Sequence, residues 1–205
     1  MIVLIDGFSI AFRAFYALPE TLMTSKGTPT NVIHGFLSML NKISTDYKTE
    51  QLIVTWDLPG KTFRNDIYTD YKANRSSAPD NFNVQVPLLH ELLNTFNIPQ
   101  VSKEGYEADD VLGSLSTILN KQNKKVLIVT GDRDTYQLIS NKTKILYTKR
   151  GISDVDLVDE KFFFDKFGIK TNQYVEYLAL KGDPSDNIPG LSLIHISEPT
   201  RPYWI

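Results

Sequence analysis

The chain has 205 residues, 41% apolar and 22% charged, which suits one sizeable globular domain with a buried core. It contains no cysteine, which excludes disulfides, thiolate metal sites and a Cys nucleophile and suits a reducing compartment. The formal charge of −2 does not exclude a nucleic-acid partner: with nine loop carboxylates set aside from the 24 acids, 22 bases face 15 acids and the remaining surface is basic.

The opening Met-Ile-Val-Leu-Ile-Asp is too short for a signal peptide and lacks a basic start, and no apolar run approaches a membrane span, so the expected location is cytoplasmic. Ile2-Val3-Leu4-Ile5 is a continuous β-branched run that predicts a strand buried on both faces of a parallel sheet, with Asp6 at its carboxyl end. Phe8 to Leu18 is aromatic-rich and carries one charge, Arg13, which suits a phosphate contact as well as an ordinary helical partner. Thr28-Pro29 predicts the start of a helix whose apolar face is Val32, Ile33, Phe36, Leu37, Leu40 and Ile43, with His34 among them expected to pack rather than to ligate.

Gln51 to Trp56 predicts the second buried strand, and it too ends in an acid, Asp57. From Leu58 to Asn83, Lys61, Arg64, Lys72 and Arg75 alternate with Phe63, Tyr68 and Tyr71. That composition suits a mobile segment gripping phosphates and bases, or a long solvated loop, and not core. Val84 to Phe96 is helical, stopped by Asn97, and Ile98 to Val101 is a short strand.

Gly105-Tyr106-Glu107-Ala108-Asp109-Asp110 then sets three carboxylates within four residues at the head of a helix that buries Val111, Leu112, Leu115 and Leu119. Like charges ~4 Å apart repel by about 1 kcal/mol even in water, so the cluster calls for a cation, although acids also favour any helix's first turn. Val126 to Val129 is a further buried strand running into Thr130-Gly131-Asp132-Arg133-Asp134. Lys144 to Tyr147 reads as a short strand, Leu157 to Phe167 and Thr171 to Leu180 as helices, and Gly182-Asp183-Pro184-Ser185-Asp186-Asn187 as an acidic loop.

Strands alternating with helices predict an α/β fold with a mostly parallel twisted sheet flanked by helices. In such sheets ligands bind at the carboxyl edge, to which Asp6, Asp57, Glu107, Asp109, Asp110, Asp132 and Asp134 are brought, with Asp183 and Asp186 joining from their loop. All-oxygen ligation selects hard cations, Mg²⁺ or Mn²⁺, and two such ions ~4 Å apart suit hydrolysis of a phosphodiester. An aspartyl-phosphate phosphatase would need a second Asp two residues after Asp6, where Phe8 stands. A pure binding module needs the basic surface without the nine acids.

These residues resemble the 5′ nuclease domain at the N-terminus of bacterial DNA polymerase I, within the wider flap endonuclease family. Leu-Ile-Asp-Gly, Phe-Arg-Ala-Phe-Tyr, Gly-Tyr-Glu-Ala-Asp-Asp, Thr-Gly-Asp-Arg-Asp and Gly-Asp-Pro-Ser-Asp-Asn occur in family order from Met1 to about Gly190. The resemblance implies a PIN-like fold and Mg²⁺-dependent cleavage of DNA 5′ flaps and 5′ ends, RNA primers on DNA included. It implies Asp6, Asp57, Glu107, Asp109 and Asp110 as one metal group and Asp132, Asp134, Asp183 and Asp186 as a second. It also implies a helical arch over about residues 58–83, with Lys72 and Arg75 near the scissile phosphate and Arg13 and Arg64 as further DNA contacts. A PIN-type ribonuclease and a non-cleaving structure-specific DNA-binding protein are the alternatives.

The expected domain covers residues 1–190, and a helix-hairpin-helix begins at about 181–190 and is incomplete. Leu191-Ser192-Leu193-Ile194-His195-Ile196-Ser197-Glu198-Pro199-Thr200-Arg201 departs from the family and resembles translated library-adapter sequence. Residues 191–205 are therefore expected to be artefactual, with no functional weight on His195 or Trp204. Whether a polymerase region follows in the intact gene is open.

Overall fold

The structure, a computed structural model, describes residues 1–150 and 154–191. β1 (Ile2–Asp6), β2 (Gln51–Thr55), β3 (Gln100–Val101), β4 (Val126–Thr130), β5 (Thr143–Arg150) and β6 (Asp154–Val158) form one sheet in the order β3-β2-β1-β4-β5-β6. All neighbours run parallel except β5 and β6. β1 is central, and all five of its residues are buried.

Side chains alternate across a strand, so each run feeds two cores. Val3, Ile5, Leu127 and Val129 face α1 (Gly7–Ala17), α2 (Asn31–Asp46) and α5 (Gln85–Thr95), while Ile2, Leu4, Val126 and Ile128 face α6 (Ala108–Lys121), α7 (Glu160–Phe167) and α8 (Tyr174–Lys181). Continuous β-branched runs are what a sheet covered on both faces requires. Gly7 is fixed by sterics, since a Cβ there would lie 2.4 Å from the Trp56 ring. α1 therefore leaves β1 flush against the end of β2.

Several expectations are corrected. α2 starts at Asn31, not at Thr28-Pro29, because Pro29 bridges to Met23 and the Thr30 hydroxyl donates to the Leu22 carbonyl at 3.2 Å. The free N–H of Val32 at this helix start is met by Gln85 Oε1 at 2.9 Å, a cap supplied from α5. His34 is exposed rather than packed. Leu157 and Val158 belong to β6, paired antiparallel with β5, and the helix begins only at Glu160.

Within residues 58–83 the structure has two short helices, α3 (Phe63–Ile67) and α4 (Asp80–Asn83). Two aromatics here contradict the reading of this segment as outside the core. Phe82 is fully buried and stacks on Phe12 with ring centroids 4.0 Å apart, and Tyr71 is buried against the sheet edge. The expectation for residues 191–205, apart from Leu191, lies outside the described residues. Among the described residues no helix is long and apolar enough to cross a membrane.

Candidate active site

Four strand-end and helix-start positions build the site. Asp6 closes β1 and caps α1: its Oδ1 accepts from Ser9 N–H at 3.1 Å and its Oδ2 from the Thr130 hydroxyl at 2.8 Å. Asp57 follows β2 and accepts the first N–H of α6, from Ala108, at 2.7 Å. Glu107 is the N-cap of that helix and Asp109 lies in its first turn. Asp132 follows β4, held by its N–H to Thr130 Oγ1 at 3.0 Å, and its Oδ1 accepts Asp134 N–H at 2.9 Å.

Asp6, Asp57, Glu107, Asp109 and Asp132 line a cleft of about 420 Å³, walled on its apolar side by Phe8 and Phe12. A second hollow of about 570 Å³ shares Glu107, Asp109 and Asp132 and adds Asp134 and Asp186, with Arg64, Tyr71, Lys72 and Arg75 along its rim. Seven of the nine predicted acids thus meet at the carboxyl edge of the sheet. Asp110 and Asp183 line neither hollow. Asp183 instead caps a short turn, accepting Ser185 N–H at 2.9 Å and the Ser185 hydroxyl at 2.7 Å.

The acids divide by partner. Among the described residues Asp6, Asp109, Asp132 and Asp134 make no ion pair, whereas Glu107 pairs with Lys72 at 2.7 Å, Asp110 with Arg64 at 2.7 Å and Asp186 with Arg75 at 2.5 Å. The Tyr71 hydroxyl lies 3.1 Å from both Glu107 Oε2 and Asp186 Oδ2. Lys72 has a left-handed backbone (φ 57°), costly for a side chain with a Cβ and held here by its N–H bond to the Asp186 carbonyl at 3.0 Å. Residues 58–83 are thereby laced onto the acids through three cations and a phenol. Arg13 is spent differently, donating to the Thr148 carbonyl at 2.9 Å and to the Lys149 carbonyl at the end of β5.

Burial raises the Asp109 carboxyl to about 8, with Asp6, Asp132, Asp57 and Glu107 adding repulsion. Asp6 is raised to about 6 by burial, against the opposing bonds from Thr130 and Ser9. Asp134 is likewise raised to about 6, by burial and then by Asp132, Asp183 and Asp186. Asp110 is lowered, chiefly by its bonds from Arg64. Buried like charges of this kind are stabilised by a hard divalent cation, and an all-oxygen donor set fits one. The convergence of nine ligands is nevertheless corrected in its detail: among the described residues no three of these side chains come close enough together to hold one ion. The Ser9 and Thr130 hydroxyls that orient this edge had no signature in the chain, because each acts across the sheet. Tyr71 stood within the basic stretch but was read only for stacking.

Residues 1–168 match the family described as 5′-3′ exonuclease, N-terminal resolvase-like domain. The chain is 45% identical over 192 residues to DNA polymerase I of Caldicellulosiruptor bescii, covering 93% of this chain, and 40% identical over 206 residues to DNA polymerase I of Mycobacterium leprae, covering all of it. It spans 22% of the length of each of these relatives. Its fold is shared with a bacteriophage T5 5′-exonuclease carrying bound zinc (TM-score 0.76, 19% identity, 93% of this chain and 70% of that one). It is shared also with a bacteriophage T5 flap endonuclease in a pseudo-enzyme-product complex with DNA and metal ions (TM-score 0.72, 18% identity, 93% and 70%).

Proposed function

Because this chain belongs to the 5′-3′ exonuclease N-terminal domain family, we propose that it hydrolyses phosphodiester bonds at 5′ flaps and 5′ ends of DNA, RNA primers paired to DNA included, by two-metal-ion catalysis. The observation that carries the reading is the pair of buried, mutually repelling carboxylates at the sheet's carboxyl edge, Asp6 and Asp109, which have no cationic partner among the described residues. Asp6, Asp57, Glu107 and Asp109, which line the first hollow, would have to be drawn together by one Mg²⁺ or Mn²⁺ ion, and Asp132, Asp134 and Asp186, which line the second, by another, since among the described residues no three of them stand close enough to share an ion beforehand. Such ions, when bound, would supply Lewis-acid stabilisation for an attacking water and for charge on the phosphodiester.

The chain's own residues position the strand. Lys72 and Arg75, at the rim of both hollows, exchange carboxylate for phosphate oxygens, for which a guanidinium fork and an ammonium are suited. Tyr68 and Phe63, both exposed, offer stacking surface on the same segment. Residues 58–83 serve as the arch and Arg13 as a backbone-anchored guanidinium at the site's edge. On this reading the protein works in the cytoplasm.

The test is product mapping on a labelled 5′-flap duplex with the purified chain in Mg²⁺ at low salt, with a chelator control. Metal-dependent cuts at the flap junction are expected. Binding without cleavage would favour a DNA-binding protein, and cleavage of structured RNA alone a ribonuclease. A chain extended through a family hairpin separates a wrong reading from a missing duplex grip.

A further inference from the structure

We propose that Arg64 and Asp110 are a positioning pair, fixing the first turn of α6 and so the aim of Glu107 and Asp109, rather than a DNA contact and a metal ligand. The inference rests on the nuclease reading above for its functional consequence, but its structural half stands by itself.

Helical geometry separates the two neighbouring acids. Successive residues on an α-helix point about 100° apart, so Asp109 and Asp110 are turned to different sides of α6. Asp109 lines both carboxylate hollows, and Asp110 lines neither.

Both members of the pair are also already occupied. Arg64 donates from both terminal nitrogens to Asp110, at 2.7 and 2.8 Å, and Asp110 Oδ2 also accepts Glu107 N–H at 2.9 Å. A carboxylate engaged by a two-pronged guanidinium and a backbone N–H has little left for an ion, and a guanidinium so engaged has two fewer donors for phosphate.

The frame around the pair ties it to the site. Phe63 N–H donates to the Gly105 carbonyl at 3.2 Å, and the Arg64 guanidinium lies 4.7 Å over the Phe63 ring. Together with the Arg64–Asp110 pair, the Phe63 bond fastens α3 at two points to the turn that carries Glu107. Arg64 Nη1 is 3.9 Å from Glu107 Oε2, close enough to steer that side chain without replacing Lys72 as its partner. Partners that orient metal ligands typically change metal affinity by ~10–100-fold when removed.

The experiment compares Arg64→Ala, Asp110→Ala, the double variant and Arg64→Lys in the full chain. Four quantities are measured: metal-free amide exchange at residues 107–111, Mg²⁺ affinity by calorimetry, flap-DNA affinity in chelator, and kcat at saturating Mg²⁺. Each alanine variant should speed exchange of that turn and weaken Mg²⁺ binding by ~10–100-fold. The double variant should do no worse than either single one, because the two residues act as one unit. DNA affinity without metal should stay within about twofold, and excess Mg²⁺ should restore kcat, which a general loss of fold would not allow. Arg64→Lys should recover part of the Mg²⁺ affinity.

Weaker Mg²⁺ binding in Asp110→Ala with none in Arg64→Ala would instead make Asp110 a ligand. Loss of DNA affinity in Arg64→Ala would make Arg64 a contact. Additive effects would dissolve the pair. If the unaltered chain neither binds Mg²⁺ nor cleaves, the nuclease reading fails, and amide exchange in the double variant still decides whether the pair fixes the turn.

Discussion

Two sets of carboxylates stand around the carboxyl edge of the sheet and are kept there by different means. Asp6 and Asp132 stand on or beside the central strands and are held by backbone and hydroxyl groups, and Asp109 stands in the first turn of α6; none of the three has a cation paired to it among the described residues. Glu107, Asp110 and Asp186, the outer set, are each tied to a cation of residues 58–83. The rigid sheet edge tolerates repulsion because the strands leave the acids no way to separate. The outer acids carry their own counter-ions and need nothing further to be stable. Charge left uncompensated by the scaffold marks where a ligand is expected first; the paired charge of Glu107, Asp110 and Asp186 also fastens residues 58–83 to the site.

Removing one inner acid should break the comparison most visibly. Asp132→Ala is expected to lower cleavage on the order of 10³-fold, as loss of a group that stabilises transition-state charge does, while flap-DNA binding in chelator is retained. Near-normal turnover would end the inner set's catalytic role.

Lys72→Ala tests the outer set. Cleavage should slow by up to ~10²-fold with the Mg²⁺ concentration for half-maximal rate unchanged, because Lys72 meets phosphate rather than metal. An unaltered rate would take the rim cations out of the mechanism.

A pH scan of stability sharpens the electrostatic half. Asp109 has its ordinary value of 3.8 when unfolded and about 8 when folded, so between these the folded state holds a proton that the unfolded state has lost. Metal-free stability should therefore fall as pH rises through that window. Asp109→Asn should flatten the slope and raise the melting temperature at pH 8, and Mg²⁺ should do the same for the unaltered chain. A slope unchanged in Asp109→Asn would assign it to other groups.

The smallest effect is expected at Arg75, whose side chain is 53% exposed. Arg75→Ala should cost within about 1 kcal/mol of stability, the range of exposed ion pairs, as read by denaturant unfolding. A larger loss would mean that this end of the segment carries structural weight.

Much of the sheet could be read from the chain alone, because a strand covered on both faces needs an unbroken apolar run, and Ile2–Ile5 and Val126–Val129 have one. Strand ends also located most of the acids. What failed was non-local. Asp154-Val155-Asp156-Leu157-Val158 alternates as a strand should, yet its apolar end flowed into the helical pattern of α7 and was absorbed by it. The start of α2 was misplaced because its cap comes from Gln85, 53 residues away in the chain. Phe82 was lost in polar company, since the ring that buries it, Phe12, lies on α1. The Arg64–Asp110 pairing was likewise out of reach, because composition registers charges and not which distant partner each one meets.

Asp6 holds a consequence for anyone improving this protein by selection. Its two oxygens cap α1 and tie β1 to β4 through Thr130, so the residue is at once scaffold and proposed metal ligand. Asp109 has no such second duty among the described hydrogen bonds. A library sorted for heat resistance alone should therefore enrich neutral residues at position 109, discarding activity for robustness, while position 6 stays aspartate under either pressure.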